Sequence, residues 1–530
     1  MQVLHFPYEE VSEFAQRDLA YINEQPKLRS FYQYEPAIDS FQQVIQDKST
    51  ANTDRQVLVD VLKAQYSDFE PTDTTIQRIE SLLDGNTFTL VTAHQPSLFT
   101  GPLYFIYKIF SVINLAEQLN EKYTDYNIVP LFITGGEDHD FEEINHAHIF
   151  GKTLEWANEE SGAVGRMKTS TLQPTLSQLK EILGESSSAV ALCTTIENAF
   201  TKFDSYGAAT RYLVHCLFEK YGLVVIGMDE PKFKQRFIPY IKEEIFDQPS
   251  QALIQATQEE LAAQGFDSQA HPRAINFFYL HDQLRSRIVL EDDVYKVLDS
   301  NFVFTRAELE AEIEAHPERF SPNVVMRPIY QETILPNLAY IGGGGELAYW
   351  QERKSQFAHF GVNFPMLIRR NSALWIDKGN AKRLEKVGLA VEDLFEDTHS
   401  LVKAYVKENS EQELSLNHEK LKTQQIFEGI VEKALAIDKG LKKTVLSEQA
   451  KMLNAIGVLE GKLLRAEKNR HDVALNQIRS LKERLFPNGL QERHTNFMEF
   501  YLKYGDDFFN TLKAYLHPLD KEFLVFLDRE

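Results

Sequence analysis

The sequence predicts an α/β protein with a parallel-sheet core, inserted connecting segments and a long antiparallel helical hairpin near its C-terminus. Between residues 87 and 370, apolar strand-like segments alternate with segments of helical spacing, which is typical of a parallel α/β sheet. Between residues 416 and 485 the chain is rich in Lys, Glu, Gln and Leu and lacks proline, and apolar residues recur every three or four positions. This spacing is the seam of a coiled coil.

Size and composition indicate a globular protein with more than one structural unit. The chain has 530 residues, of which 43% are hydrophobic and 12% aromatic, and this is enough for a sizeable core. The net charge of −22 argues against a general nucleic-acid or anionic-membrane surface, because both partners would be repelled. A small anionic substrate stays compatible, since a few arginines can reverse the field within one cleft.

The number of cysteines and the length of the apolar runs limit the cellular locations that we expect. Cys193 and Cys216 are too few for a disulfide framework or a structural zinc site, which predicts a reducing compartment. Both lie in apolar helical segments, so we expect inert core thiols rather than nucleophiles. The first residues lack the pattern of a secretion signal, and no apolar run approaches the roughly 20 residues of a membrane span. We therefore expect a soluble, cytoplasmic protein.

The elements follow in order along the chain. Residues 1–86 are expected to form a helical arm packed on the core, and residues 87–400 the α/β core with inserted segments at about 150–220 and 230–330. Four segments are predicted strands: "TFTLVTA" (87–93), "IVPLFIT" (128–134), "GLVVIGM" (222–228) and "PMLIRR" (365–370). In such sheets the loops at the carboxyl ends of the strands bind ligands, so we look for the site there.

The C-terminal third is predicted to be a coiled-coil hairpin over 401–486, followed by a helical segment, 487–530, that returns to the core. Asp438-Lys439-Gly440 is the expected turn, and "FPNG" (486–489) ends the second helix. The apolar stripe of that helix, predicted from Lys442 to Leu485, changes register after Ala466. A long, thin hairpin has little partner surface of its own, which favours dimerisation, although packing within the monomer remains the alternative.

The segment "GGEDHDF" follows the second predicted strand and places four ionisable side chains in a row. We interpret His139 as a general acid/base or a binder of a developing oxyanion, oriented by Asp138. Helix capping by Asp138 or Asp140 is the simpler alternative. A metal bound by His139, His146 and His148 with Glu137 or Asp138 is disfavoured by helical spacing, so no metal ligand is predicted.

Two further loops carry candidate residues. In "HQPSLFTGPLYFIYK", His94 and Lys108 are candidate catalytic residues, with Gln95 and Thr100 as candidate substrate contacts near a helix start that suits phosphate. In "IGGGGELAYW", Gly343, Gly344 and Glu346 offer a turn suited to phosphate or carboxylate, or simply a tight turn. The segment lacks the Lys-Ser/Thr of a P-loop, and because no clean strand precedes it, it does not match the dinucleotide-binding fingerprint.

Positive charge for an anionic substrate is expected from residues just before the glycine segment and at the end of the fourth predicted strand. Arg327 and Gln331 lie in "MRPIYQETILPNLAY", and Arg369-Arg370 ends the fourth predicted strand. A guanidinium at such a position grips a carboxylate with two parallel hydrogen bonds.

Four longer motifs resemble one known family. "LFTGPLYFIYK", "GGEDHDFEEINH", "FSPNVVMRPIYQETILPNLAYIGGGGELAYW" and "LFPNGLQERHTNF" occur in order, and the chain resembles the bacillithiol-biosynthesis cysteine-adding enzyme family, BshC, from about residue 30 to the C-terminus. The resemblance implies a Rossmann-like core, a protruding coiled coil that dimerises, and amide formation between L-cysteine and glucosaminyl-malate. The chain has His94-Gln95 where the family usually has a Gln-Gln pair.

Amide formation from a free amino acid is uphill in water, so the cysteine carboxylate must be activated, most simply by ATP. The resemblance implies a nucleotide such as ADP near the base of the coiled coil, which we place at Gln491 and Arg493; the need for a divalent metal stays open. From their placement after strand ends, Arg327 or Arg369 would bind the malate carboxylates, and Asp138 or His139 would deprotonate the amine. The alternatives are a nucleotidyltransferase acting on another acceptor and a coiled-coil scaffold without catalysis.

Overall fold

The computed structural model describes residues 1–410 and 415–529. Its strands are β1 Gln2–Pro7, β2 Thr87–His94, β3 Asn127–Thr134, β4 His146–Ile149, β5 Lys152–Glu155, β6 Val224–Gly227, β7 Phe277–His281, β8 Leu284–Glu291, β9 Val294–Val297, β10 Val303–Phe304, β11 Phe320–Pro322, β12 Asn337–Gly342, β13 Met366–Arg369, β14 Ser372–Ile376 and β15 Glu522–Leu527.

The α-helices up to the hairpin alternate with these strands. They are α1 Gln16–Ile22, α2 Phe41–Ser49, α3 Arg55–Gln65, α4 Asp73–Ser81, α5 Tyr104–Lys122, α6 Phe141–Ile144, α7 Gln173–Leu183, α8 Ser187–Lys202, α9 Tyr206–Phe218, α10 Pro231–Asp247, α11 Pro249–Ala263, α12 Arg306–Ala315, α13 Arg327–Ile334, α14 Gly344–Gln351, α15 Lys354–His359, α16 Lys378–Val387 and α17 Thr398–Asn409. The remaining six are α18 Asn417–Ile437, α19 Leu441–Arg470, α20 Asp472–Leu485, α21 Gln491–His494, α22 Met498–Tyr504 and α23 Asp506–Tyr515.

The predicted parallel sheet is confirmed, with five strands in the order β13–β12–β2–β3–β6. Its strands are buried almost throughout, which explains their near-continuous apolar sequences. The sequence analysis missed β12, which lies between β2 and β13. Because all five strands run in parallel, the loops after them meet at one edge of the sheet.

The long connections of the sheet carry the inserted segments. Between β3 and β6 the chain forms a two-stranded ribbon, β4 and β5, and the helices α7 to α9. Between β6 and β12 it forms α10, α11, α12 and an antiparallel sheet in the order β10–β9–β8–β7–β11. This second sheet brings β8 next to the loop after β3, as the hydrogen bond between Arg285 and His139 shows.

The two ends of the chain meet in a third sheet, β1–β15–β14. β1 pairs antiparallel with β15, and β14 pairs parallel with β15. Neither terminal segment is therefore purely helical, which corrects the expectation for residues 1–86 and 487–530. Both strands were missed because each is six residues long and finds its partner some 520 positions away, beyond the reach of any local pattern.

The helical hairpin runs antiparallel through α18 and α19. Lys420 forms an ion pair with Glu460 at 2.6 Å, so residues nearly equally distant from the turn are in contact. At the turn itself, the amide of Gly440 donates a hydrogen bond to Asp438. The second helix is not continuous as predicted: α19 ends at Arg470 and α20 begins at Asp472, close to the change of register after Ala466.

The two parts of the hairpin differ in burial. In α20, Leu475, Ile478, Leu481 and Leu485 are buried against the body of the protein. α19 has no buried residue, and Val458 and Leu459 are 60% and 54% exposed. Within the described residues, no helix has the length and apolar character needed to cross a membrane.

The two cysteines have different surroundings. Cys193 is buried as expected, but Cys216 is exposed, because it faces outward from α9. Partial burial of each sulfur atom raises the pKa of both thiols. A raised thiol pKa lowers the thiolate fraction at neutral pH, which agrees with unreactive cysteines.

Candidate active site

A cavity of about 550 Å³ opens at the carboxyl edge of the parallel sheet. The loops after β2, β3, β6 and β12 line it, together with α13 and the start of α14. Ten of the candidate residues line this cavity: His94, Gln95, Lys108, Asp138, Arg327, Gln331, Gly343, Gly344, Glu346 and Arg493. Four do not: Thr100, His139, Arg369 and Gln491.

A buried ion pair forms the floor of the cavity. The Lys108 ammonium donates hydrogen bonds to the carbonyl oxygen of Ala93 at 2.7 Å and to Glu346 at 2.8 Å. Glu346 also accepts from the Tyr340 hydroxyl at 2.6 Å and from the amide of Gly343 at 2.9 Å. Lys108 and Glu346 thus connect α5, β2, β12 and α14, and both groups are largely satisfied within the protein.

The glycine turn does follow a strand, contrary to the sequence interpretation. β12 ends at Gly342 and α14 begins at Gly344, with Glu346 capping the helix through the Gly343 amide. Gly344 is required for space: a Cβ there would overlap the Asp18 carboxyl group. Asp18 is held in place by Arg369 at 3.0 Å.

Gly344→Ala is expected to destabilise the protein by about 1–3 kcal/mol, the usual cost of overpacking. The reason is that Asp18 cannot withdraw without losing its buried partner Arg369. Denaturant unfolding measures the change. Gly345→Ala is the matched control, because nothing lies within 4 Å of a Cβ at that position. Equal stability of the two variants would contradict the close packing of Gly344.

The loop after β3 contributes an acidic wall. Gln95 donates hydrogen bonds to Asp138 at 2.8 Å and to Glu143 at 2.9 Å. Burial acts to raise the pKa of Asp138, but the nearby His139, the hydrogen bond from Gln95 and the charges of Arg327 and Arg285 outweigh it and hold the pKa well below its usual range. Asp138 is therefore ionised and a weak base. Asp140, in contrast, caps α6 by accepting from the amide of Glu143.

His139 does not face the cavity, which corrects its assignment as a catalytic residue. Arg285 of β8 donates a hydrogen bond to His139 Nδ1 at 2.6 Å. A guanidinium has no lone pair to accept a hydrogen bond, so Nδ1 is the acceptor. His139 therefore positions Arg285, which lines the cavity and lies 3.8 Å from Asp138.

The alternative metal site is not assembled. His146 and His148 lie on β4 rather than on a helix, so both side chains point to the same face and their rings are 5.3 Å apart. His139 is engaged with Arg285 instead. Among residues 1–410 and 415–529, no group of three His, Cys, Asp or Glu side chains has the geometry to hold a metal ion.

His94 and Tyr104 form a hydrogen-bonded pair on the cavity wall. His94 Nδ1 donates to the carbonyl oxygen of Gln95 at 2.8 Å, and His94 Nε2 accepts from the Tyr104 hydroxyl at 2.9 Å. Burial and the nearby Lys108 charge lower the pKa of His94 to about 4, so the ring is neutral at neutral pH. Burial also raises the pKa of Tyr104 to about 12, which keeps its hydroxyl protonated.

Two guanidiniums face the cavity without a partner. The Arg327 side chain forms no hydrogen bond or ion pair with any residue that the structure describes, although it lies near Tyr349, Asp138, Tyr340 and Glu346. The side chain is exposed and lines the cavity. Arg493 is likewise without an ion-pair partner in the described chain and is exposed. Both are therefore free to bind an anion.

Arg369 and Gln491 have structural partners, so their predicted binding roles are corrected. Arg369 points away from the cavity to Asp18, and its neighbour Arg370 lines the cavity and pairs with Glu492 at 2.7 Å. The Gln491 side chain accepts from the amide of Trp375 at 2.8 Å and donates to its carbonyl oxygen at 3.0 Å. Gln491 thus pairs with β14 as a neighbouring strand would.

Thr100 is also outside the cavity and is corrected as a substrate contact. It is buried in a loop where Phe99 and Thr100 have positive φ values of 50° and 74°. The Asn496 amide holds this loop by donating to the carbonyl oxygen of Gly101 at 2.7 Å.

Two family models match this chain end to end. The first, described as "Bacillithiol biosynthesis BshC, N-terminal Rossmann-like domain", matches residues 1–371, and the second, described as "Bacillithiol biosynthesis BshC, C-terminal coiled-coil domain", matches residues 373–527. The chain belongs to the BshC family. The predicted Rossmann-like core and coiled coil are thereby confirmed as the fold of this BshC-family chain.

Curated relatives in the BshC family are similar over nearly their full length. A protein of Flavobacterium psychrophilum is 40% identical over 522 residues, which cover 98% of each chain. One of Flavobacterium johnsoniae is 42% identical and covers 95% of this chain and 96% of its own. One of Bacillus cereus is 29% identical and covers 92% and 93%. All three are named "Putative cysteine ligase BshC".

Several residues lining the cavity of this BshC-family chain were missed from sequence. They are Tyr104, Glu143, Asp229, Arg285, Tyr340 and Tyr349. Tyr104 had a usable signal, because it precedes Lys108 by four positions and so shares its helix face. Arg370 follows Arg369 and faces the opposite way, as alternation at a strand end requires. Arg285 had no such signal, because it reaches the cavity from the inserted sheet.

Proposed function

We propose that this protein is a cysteine ligase of bacillithiol biosynthesis. It joins the carboxyl group of L-cysteine to the amine of glucosaminyl-malate, with a nucleotide activating the carboxyl. The observation that carries the proposal is the placement of an unpaired guanidinium, Arg327, beside an ionised carboxylate, Asp138, in one cavity of a BshC-family chain. An amino acid presents the complementary charges, a carboxylate and an ammonium group.

The carboxylate of cysteine is assigned to Arg327. This side chain is exposed, lines the cavity and has no hydrogen-bond or ion-pair partner to give up among the residues that the structure describes. Arginine matches a carboxylate with two parallel hydrogen bonds, which fixes the orientation of the carboxyl as well as its place. The aromatic rings of Tyr340 and Tyr349 border the same region and limit access of water.

The ammonium group of cysteine is assigned to the acidic wall. Asp138 is ionised and its pKa is held below its usual range, so it serves as a hydrogen-bond acceptor rather than as the base that was predicted. Amide formation needs a second, uncharged amine whose lone pair attacks the carboxyl carbon. The Tyr104 hydroxyl and, behind it, the neutral His94 imidazole lie beside the place of that amine; the lowered pKa of His94 makes it a hydrogen-bond partner of Tyr104 rather than a strong base.

A nucleotide has a limited choice of contacts here. Glu346 occupies the Gly343 amide and places a negative charge at the start of α14, which disfavours a phosphate at the glycine turn. Of the two unpaired guanidiniums, we place the phosphates at Arg327, because activation must occur at the carboxyl that Arg327 holds. When bound, the nucleotide supplies the free energy for amide formation.

The direct test is incubation of the purified protein with L-cysteine, glucosaminyl-malate and ATP. We expect a product whose mass is that of the two substrates joined with loss of water, together with AMP or ADP. The nucleotide product identifies which phosphate bond is used. Turnover of a nucleotide with a different acceptor, or no turnover in any combination, would overturn the proposal.

We further propose that the protein is a cytoplasmic homodimer formed through α18 and α19. The exposed apolar residues of these helices are Leu421, Ile426, Ile430, Leu435, Ile437, Leu441, Leu446, Met452, Val458, Leu459 and Leu463. Apolar residues in such number on one hairpin favour burial against a partner, at about 25 cal/mol per Å² of apolar surface. A second copy presents the same hairpin and needs no other protein.

Leu459→Glu with Leu463→Glu is expected to convert the dimer to a monomer. Each charge would be buried without a partner at the apolar seam, and this costs several kcal/mol. Sedimentation velocity measures the change in mass, and Asn469→Glu, an exposed position of α19, is the matched control. A monomeric parent protein, or a double variant that stays dimeric, would rule out this interface.

A further inference from the structure

A second chamber of about 260 Å³ adjoins the main cavity. The two share His94, Gln95, Tyr104, Glu143 and Arg493 in their walls. The remaining wall of the chamber is formed by β4, by α21 and by the loop from Ser97 to Pro102. A ligand that fills the chamber can therefore extend into the main cavity past Tyr104.

The side chains of the chamber are suited to an anion. His146 and His148 project from the same face of β4, and His494 and Arg493 come from α21. Burial and the proximity of His146 and His494 lower the pKa of His148, so these groups are close enough to repel one another when charged. In the described chain, none of the four forms an ion pair with a carboxylate. An anion would relieve this repulsion.

His146 and His148, the two histidines of β4, each have one ring nitrogen free for a ligand. His146 Nδ1 contacts Asn145 at 3.1 Å, and His148 Nδ1 contacts the Thr153 hydroxyl at 3.0 Å. The Nε2 atoms have no such partner among the residues that the structure describes. The one carboxylate on the wall, Glu143, is engaged by Gln95 at 2.9 Å.

The arrangement favours a compact dianion with two separated charges. The basic side chains come in pairs from two elements, β4 and α21, so two carboxylates can each be met by a different pair. The chamber is too small to enclose a nucleoside together with its phosphates.

We propose that this chamber binds the malyl dicarboxylate of the amine substrate. The proposal rests on the proposed function and specifies where one of its substrates lies. With the malyl group in the chamber, the sugar spans the shared wall and its amine lies beside Tyr104 and His94. The amine then faces a carboxyl held at Arg327 in the main cavity.

The test uses the full-length protein and the variant His148→Gln/His494→Gln, in which both changed residues line only the chamber. Calorimetry with L-malate alone is expected to show binding to the parent protein and a loss of about tenfold or more in the variant, because two contacts to a charged ligand are removed. The KM for glucosaminyl-malate is expected to rise by a similar factor, with the KM values for cysteine and nucleotide unchanged. His359→Gln, an exposed histidine outside both cavities, is the matched control.

The outcomes separate the two proposals. Absence of malate binding to the parent protein, or equal malate binding by parent and variant, overturns the assignment of the chamber. A variant that loses binding of inorganic phosphate or ADP but still binds malate also overturns the assignment, because that result identifies a phosphate site. If malate binding is lost in the variant while no combination of substrates turns over, the chamber stands and the ligase function fails. A thermal melt of the variant matching that of the parent shows that the changes are local.

Discussion

Arg327→Met is expected to lower kcat/KM for cysteine by about tenfold to a hundredfold. Arg327 is exposed at the cavity, and hydrogen bonds to a charged group contribute about 1.5–3 kcal/mol, where 1.4 kcal/mol corresponds to a factor of about ten. Steady-state kinetics with varied cysteine measures the effect. Stability should stay the same or rise, because the guanidinium gives up no hydrogen bond in the free protein.

Two further variants make the result specific to the guanidinium. Arg327→Lys keeps the charge but loses the planar fork, so we expect activity between those of the parent and Arg327→Met. Arg479→Met is the matched control, because Arg479 is exposed on α20 and bonds only to Asn476. Unchanged kcat/KM in Arg327→Met would remove Arg327 from substrate binding and with it the main support for the charge-complementary cavity.

The location of the site could be predicted from sequence because it depends on local patterns. β2, β3, β6 and β13 are apolar segments with clear ends, and parallel strands bring the residues that follow them to one edge. His94 and Asp138 were found in this way. β12 was missed because "NLAYIG" is short, begins with a polar residue and ends in glycine, and its burial depends on its neighbours β2 and β13.

The direction of side chains at the cavity could not be predicted, because it depends on where each strand ends. A shift of one residue decides that Arg370 rather than Arg369 lines the cavity. For the same reason His139 faces Arg285 while Asp138 faces the cavity. Contacts between residues far apart in the sequence could not be predicted either, because only the tertiary fold brings Asp18 and Glu492 to these arginines.

Lys108→Met is expected to reduce the free energy of unfolding by about 1–3 kcal/mol, the cost of leaving the charged Glu346, whose side chain is 25% exposed at the cavity, without its partner. Lys108 is 1% exposed, and the remaining Glu346 would keep only the Tyr340 hydroxyl and the Gly343 amide as donors. Urea unfolding gives the free energy and its change. A loss below about 1 kcal/mol would show that Lys108 is not a structural partner of Glu346.

The double variant Lys108→Met/Glu346→Gln separates the contribution of the unpaired charge to stability from the contribution of packing. The amide oxygen that Glu346→Gln introduces can still accept from Tyr340 and Gly343 but carries no charge. We therefore expect the double variant to be more stable than Lys108→Met, and the same urea unfolding measures the difference.

The pH dependence of stability gives an independent check on the same ion pair. In the parent protein, burial acts to raise the pKa of Glu346 and the Lys108 charge outweighs it, so the pKa lies below its ordinary 4.5. That contribution to stability is present above pH 4.5 and is lost as the pH falls. Without Lys108, burial dominates and raises the pKa of Glu346. Protonated Glu346 is then the form that favours the folded state, and this contribution to stability is lost as the pH rises. The stability difference between parent and Lys108→Met should therefore grow with pH and shrink on acidification. A difference that is independent of pH would mean that Lys108 stabilises the floor of the cavity by packing alone.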